Sequence, residues 1–511
     1  MIIVLAALLP IVLLVLSALI SKRGFLFSAA ISLALLIVTS ATIWKMPYLV
    51  LMAASLKGVF LAVEIILIIF GALLLFGIFR REGGEKSAKT LFDGISPDYR
   101  VKAIIIAWAF ICFIEGISGF GTPAMIVAPI LITIGFTPAA AVMLSLMGDS
   151  VPVIFGAVGL PITYGMASVV GSEAANGAAS LISLLNIPAS FFVVIGILAV
   201  AVRDKGGSLK NIFEKIPFAL FASLAVSIPS FITFRYFGPE LPSIMGGLIG
   251  VILISIAVIL KNKKRVISGG FEFKPFIPYA SAVVLLAVSR IPQVRMFLTE
   301  VVRLNMESIF GVGINYSFSP LYSPAFVFFA VAAMFFLYFI IRGKKEFGIH
   351  ILRDSFGKII RPMFTLVLIL SFVQIMINSG INDAGLPGMA EVIARAAGQA
   401  GGKAVVFFSP FVGALGAFIA GSSTVSNLLF SSIQYSTAAI SGVAGKMALT
   451  MQGMGSAAGN MISIHNILAA LAVVGAAART ERTVLRSNLP FLVLYLIFLG
   501  IIGLILSVTL Y

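Results

Sequence analysis

Charge, cysteine and histidine are what this 511-residue chain has least of. Charged residues make up 11% and apolar residues 60%, whereas a soluble chain carries about 25% charged residues. So little charge could not cover a water-facing surface, which excludes a soluble enzyme, a disordered protein and a fibrous protein. The one cysteine, Cys112, rules out an intrachain disulfide. Two histidines, His350 and His465, assemble no Cys/His metal set, so no metal and no cofactor are expected. Also missing is the two-residue alternation in runs of about ten that a membrane β-barrel shows. What recurs from end to end is apolar runs of near 20 residues, which predict an all-α polytopic membrane protein. The net charge of +16 reads as Lys and Arg gathered in cytoplasmic loops, with the lipid bilayer and not nucleic acid as partner.

Basic residues mark the ends of the apolar runs. Lys22 and Arg23 follow the first run, and clusters stand at 80–102, 203–215, 261–274, 342–361 and 479–486. Together they hold 26 of the 35 Lys and Arg residues. Placed on the cytoplasmic face, the clusters are joined by one path. It has full spans at about 2–20, 24–44, 59–79, 138–160, 179–202, 216–237, 242–260, 275–290, 323–341, 361–379, 446–478 and 488–510. That makes 12 crossings, with both termini outside. The first run has no basic front and no small-residue cleavage site, so a span is expected there and not a cleaved signal. Two apolar stretches are left, 103–136 and 404–434. Parity holds only if each enters and leaves on one face, as a re-entrant hairpin.

The two stretches correspond. The first reads FIEGISGFGTPAMI (113–126) and the second AFIAGSSTVSNLLF (417–430), with Ser118 falling on Ser422 at an offset of 304. Each is an apolar helix broken by a small-polar cluster. Each is followed by a second interrupted helix, one containing MGDSVP and the other QGMGSAAGN. One unit starts from the cytoplasmic face and the other from outside. Like units in opposite orientation form an inverted repeat, the mark of secondary transporters. Tight packing through small residues would account for the glycines but not for matching breaks.

A break inside hydrocarbon leaves backbone groups without partners unless it lines protein or a wet cavity. It also exposes half-helix N-termini, which attract anions. Ser118, Gly119, Phe120, Gly121 and Thr122 form the first tip, with Pro123 suited to the first turn of the returning helix. Ser422, Ser423, Thr424 and Asn427 form the second, and Asn460 lies in the later break. These are the expected substrate-binding residues; the alternative for the hydroxyls is bonding back to their own helix. Acids within a membrane are costly and mark function. Glu115 stands just before the first break and Asp149 within the next, so both are candidate proton carriers, as is His465. Capping of the following half-helix is the alternative for Asp149.

At these residues the chain resembles the L-lactate permease family of lactate and glycolate–proton symporters. The resemblance rests on EGISGFGTP (115–123), GFTPAAAVMLSLMGDSVPVIFGAVGLPI (135–162), GPELPSIMGGLIG (238–250), FFSPFVGALGAFIAGSSTVSNLLFSSIQ (407–434) and GNMISIHNILAALAVVG (459–475). It implies an inverted-repeat fold with two re-entrant hairpins, elevator motion and a homodimer. Scaffold spans are then expected at 1–102, and the first transport repeat at 103–202. More scaffold with the dimer contact follows at 203–402, and the second repeat with the last span at 403–511. The chain departs from the family pattern at four places. Asn is usual where Asp149 stands, Asp where Ser423 stands, Lys where Asn460 stands, and Gln where His465 stands.

The expectation is therefore a plasma-membrane carrier of small monocarboxylates: L-lactate, with glycolate and D-lactate. It is driven by protons and binds substrate between the two tips. The missing Lys and relocated acid keep open a carrier of the same fold for another organic anion with Na⁺ coupling. An ion channel would need a ring-forming selectivity motif. An enzyme would need a metal cluster or a nucleophile–base pair, and the sequence offers none.

Overall fold

A computed structural model describes residues 1–20, 24–119, 121–262, 272–476 and 480–509. Among them, eleven helices are long and apolar enough to cross a membrane, or up to thirteen if each of two sharply bent pairs forms one span. The expected twelve fall between. Ile2–Ile20, Phe25–Thr42, Ile216–Phe237 and Pro324–Ile341 lie within a few residues of their predicted bounds.

Other elements differ, each for a local reason. Tyr48–Arg81 and Lys345–Asn378 both run 34 residues, starting well before the expected spans at 59 and 361. In the second, Ile351, Ser355 and Ile359 are buried while Arg353, Lys358 and Arg361 are exposed. A four-residue period of this kind continues a helix past the hydrocarbon with its charges turned outward. The stretch 138–160, expected as a span interrupted at MGDSVP, is broken there. Pro138–Asp149 stops after 12 residues, and a short turn at Pro152–Phe155 leads into Gly156–Thr163. Pro152 has no N–H to continue the first helix. Ala157 and Val158 then take left-handed backbone angles, φ 44° and 57°, which cost energy in residues with a Cβ. Lys274–Ser289 turns by 88° into Pro292–Glu300, and Gly445–Ile462 bends by 41° into Ile464–Val473.

The two leftover stretches are each a helix, a turn and a helix. The first pairs Ile111–Ile117 with Thr122–Thr133, after a π-helical segment at Ile105–Phe110. The second pairs Val405–Ala420 with Ser423–Ile440. These two lie antiparallel: the Ser426 hydroxyl donates to the Gly413 carbonyl at 2.7 Å, and the Ser409 hydroxyl to Gln434 Oε1 at 2.9 Å. Three elements were not foreseen. Gly84–Ile95 and Met389–Gly401 are amphipathic helices. Leu304–Met306 and Tyr316–Phe318 form a small antiparallel ribbon, with Leu304 opposite Phe318.

Small residues set the helix contacts, as expected where lipid removes the hydrophobic drive between helices. Tyr48–Arg81 packs along Lys345–Asn378, Gly58 facing the Ser371 backbone and the Ser371 hydroxyl donating to the Ser55 carbonyl at 3.2 Å. Val405–Ala420 packs likewise along Gly445–Gly459.

On the face that carries the basic clusters, Asp98 ties two loops together. It caps the helix starting at Tyr99, accepting from the Arg100 N–H at 2.9 Å. Its second oxygen accepts from the Arg100 guanidinium at 2.9 Å and from Lys215 Nζ at 2.8 Å. Burial alone would raise the Asp98 carboxyl, but hydrogen bonds from Arg100 and Lys215 outweigh it and hold the group down at about 2. A carboxyl depressed in the fold adds stability that is complete above its unfolded value, about 3.9, and that fades as pH falls through about 2. Asp98→Ala is therefore expected to cost about 1–2 kcal/mol at neutral pH, allowing for solvent screening of a partly exposed cluster. In thermal unfolding of the detergent-solubilised protein, the gap to the unmodified chain should narrow as pH drops below about 4.

Candidate functional site

The first tip closes tightly on itself. The helix Ile111–Ile117 ends at Ser118, whose N–H and hydroxyl both donate to the Ile114 carbonyl at 2.9 Å. The back-bonded alternative thus holds for Ser118. Gly119 and Gly121 take left-handed angles, φ 56° and 75°, which only glycine adopts freely. Pro123 lies in the first turn of Thr122–Thr133, where its missing N–H costs nothing. Phe120 lies outside the described residues. The second tip turns at Gly421 (φ 70°). The Ser422 hydroxyl caps the next helix, accepting from the Val425 N–H at 3.4 Å.

The tips meet. One small cavity is lined by Glu115 and Gly121 from the first unit and by Ser422, Ser423, Thr424 and Asn460 from the second. The first-turn N–H groups of Ser423 and Thr424 have no intrahelical partner, so this wall offers backbone donors as well as hydroxyls. The space open to the centre of a water is about 20 Å³. That suits one or two waters, and a three-carbon acid requires the tips to part slightly. Asn427 stands behind the wall and links the units, its amide donating to the Pro161 carbonyl at 3.1 Å. Ser423 shares a 2.6 Å hydrogen bond with Ser456. Ser118, Gly119 and Thr122 do not line the cavity.

Two acids come together at its back. Glu115 is 3% exposed and Asp149 is fully buried, and the two carboxyls lie beside each other. Asp149 Oδ2 accepts from the Asn460 amide at 3.1 Å, and Asn460 Oδ1 from the Asn466 amide at 2.5 Å. Among the described residues, Glu115 Oε2 and Asp149 Oδ1 have no N–H or O–H donor. Neither acid forms an ion pair among the described residues.

The family model described as L-lactate permease matches residues 3–510. The chain belongs to the L-lactate permease family. It is 29% identical to a putative L-lactate permease of Haemophilus influenzae over 479 residues, covering 88% of each chain. It is 30% identical to an L-lactate permease of Streptococcus iniae over 400 residues, 76% of this chain and 80% of the relative. A third relative, the glycolate permease GlcA of Escherichia coli, is 27% identical over 555 residues, 98% of this chain and 95% of its own.

Within the fold, His465 stands apart from the acids. It lines a second, larger cavity of about 580 Å³, with Arg361, Thr365 and Asn466. The two cavities share Gly421 and Ser422. Reasoning from the sequence missed Arg361, which was read only as the last residue of a basic cluster. It also missed Gly156, whose signal was present in its place directly after the MGDSVP break. A Cβ at Gly156 would overlap Glu115 Oε1. Gly156→Ala should therefore displace the Glu115 carboxyl. The expected result is a folded protein, destabilised by about 1–3 kcal/mol, with transport lowered about tenfold or more. Uptake and thermal unfolding measured on one preparation check both.

Proposed function

We propose that the protein carries small monocarboxylates, L-lactate first and glycolate and D-lactate with it, across a plasma membrane by proton symport. The observation that carries this is the cavity where two helix tips from distant parts of the chain meet Glu115, with Asp149 beside it. The substrate carboxylate sits on the N–H groups of the second tip, and its 2-hydroxyl bonds to Ser422, Ser423 or Thr424. Two carboxylates side by side within low dielectric cannot both stay ionised. The pair therefore takes up a proton, which satisfies Glu115 Oε2 and Asp149 Oδ1 together. Anion and proton then travel as a neutral load, which crosses hydrocarbon more cheaply than either charge alone. Glu115 and Asp149, and not His465, hold the coupling proton.

The family resemblance and the order of helices support an elevator. In it, the units at 103–202 and 403–511 form an inverted repeat with two re-entrant hairpins, moving against a scaffold built from 1–102 and 203–402. A homodimer through the scaffold, and both termini outside, complete this reading.

The relatives' names, L-lactate permease and glycolate permease, favour this substrate class. Hard oxygen ligands at the acid pair would also suit Na⁺, so the test includes both gradients. In proteoliposomes an inward proton gradient should drive L-lactate above equilibrium, and an inward Na⁺ gradient at equal pH should not. Glu115→Gln and Asp149→Asn should each lower gradient-driven accumulation about tenfold or more while leaving lactate counterflow at equal pH. Accumulation that follows Na⁺ alone would replace the proton with sodium. Counterflow absent from well-folded protein would sink the lactate assignment.

A further inference from the structure

The tip cavity has a buried polar layer on one side and a larger recess on the other. On the ribbon side, the turn after Gly156 packs against 239–240, with Gly159 facing the Pro239 carbonyl. There Glu240 meets Arg290 at 3.5 Å, and the Arg290 guanidinium, 5% exposed, lies 4.2 Å from the centre of the Tyr322 ring. The Tyr164 hydroxyl donates to the buried Glu64 carboxyl at 2.9 Å. Across the second tip the larger cavity begins, and Gly421 and Ser422 line both cavities.

Among the described residues, Arg361 is the one Lys, Arg, Asp or Glu lining that larger cavity. It is exposed, and it forms no ion pair among the described residues. It stands immediately before Pro362, within the helix Lys345–Asn378. The cavity's other polar side chains are Thr365, Ser422, His465 and Asn466. Among the described residues no acid lines it. A recess lined by one sign of charge, with low-dielectric walls, concentrates the opposite ion and speeds its arrival.

We propose that this recess is a second anion subsite, in which Arg361 receives a small carboxylate at the basic-loop mouth before it passes Ser422 to the tips. The proposal rests on the transporter reading above for its physiological ligand, and on the charge pattern for its side of the membrane. A planar guanidinium grips a carboxylate through two parallel N–H donors. The same chemistry would hold a lipid phosphate, and the test separates the two.

The test reads reaction chemistry and needs no transport. In a Cys112→Ala background, Thr365→Cys places a thiol on the recess wall. The protein is reconstituted in phosphatidylcholine vesicles or in vesicles containing phosphatidylglycerol. The labelling rate is measured with the anionic sulfonatoethyl and the cationic aminoethyl methanethiosulfonate. The anionic reagent should react faster. Arg361→Gln should lower the anionic-to-cationic rate ratio by about three- to tenfold, and Arg361→Lys should keep most of it, which separates charge from misfolding. Millimolar L-lactate should slow the anionic reagent in both vesicle types. A ratio unchanged by Arg361→Gln overturns the subsite. So does an anionic preference that is lost in phosphatidylglycerol vesicles and insensitive to lactate, which would give Arg361 to a lipid phosphate. Counterflow on the same vesicles decides separately whether lactate is carried.

Discussion

A helix that stops part-way through hydrocarbon must find partners for the backbone groups it uncovers, and the centre of this molecule follows from that requirement. Each tip resolves it in its own way. Ser118 folds its N–H and hydroxyl back on Ile114, and glycines carry the chain through left-handed angles. At the second tip, Gly421 returns its N–H to Ala417, and Ser422 caps the following helix. What stays unpaired is gathered at one place: the first-turn N–H groups of Ser423 and Thr424, and the facing acids. Bringing the tips together makes two incomplete helix ends into one polar chamber.

Two of the positions read as departures from the family pattern, Asp149 and Asn460, meet in that chamber. Their side chains are hydrogen-bonded at 3.1 Å across 311 residues of sequence. With Glu115 beside Asp149, two acids and an amide are gathered at one place. On the proposed mechanism, a proton held between the acids offsets the charge of an incoming anion.

Much of this was legible in the sequence. Basic clusters and apolar lengths located most spans, because charge cannot enter hydrocarbon and the bilayer fixes helix length. The paired glycine and serine clusters located both turns, because left-handed backbone and capping demand those residue types. Pairwise contact was not legible. Nothing in the one-dimensional pattern tells that Glu115 lies beside Asp149, that Asn427 reaches Pro161, or that His465 faces a separate recess. The break at Asp149 was legible from the small-polar MGDSVP stretch, although Val, Ile and Phe continue through it and hydropathy alone gives one span. The amphipathic helix Met389–Gly401 escaped because its polar face hid it from a search for apolar runs. Ser118 illustrates a subtler gap, because a hydroxyl in a tip motif can serve its own helix and leave the ligand to its neighbours.

The two 34-residue helices carry a mechanical consequence. At about 1.5 Å per residue each is about 50 Å long, well beyond a hydrocarbon core of about 30 Å. Exposed arginines and lysines near their ends suit the headgroup region. Three pieces around the chamber are short: Ile111–Ile117, Thr122–Thr133 and Pro138–Asp149 have 7, 12 and 12 residues, at most about 18 Å each. Long helices and short ones thus stand in one molecule, and the proposed elevator would move the short ones. Any vertical displacement of those pieces forces the adjoining lipids to stretch or compress to match their height, at an elastic cost for every ångström of mismatch. Bilayer thickness then becomes a quantity the molecule works against, set by the acyl chains of its host.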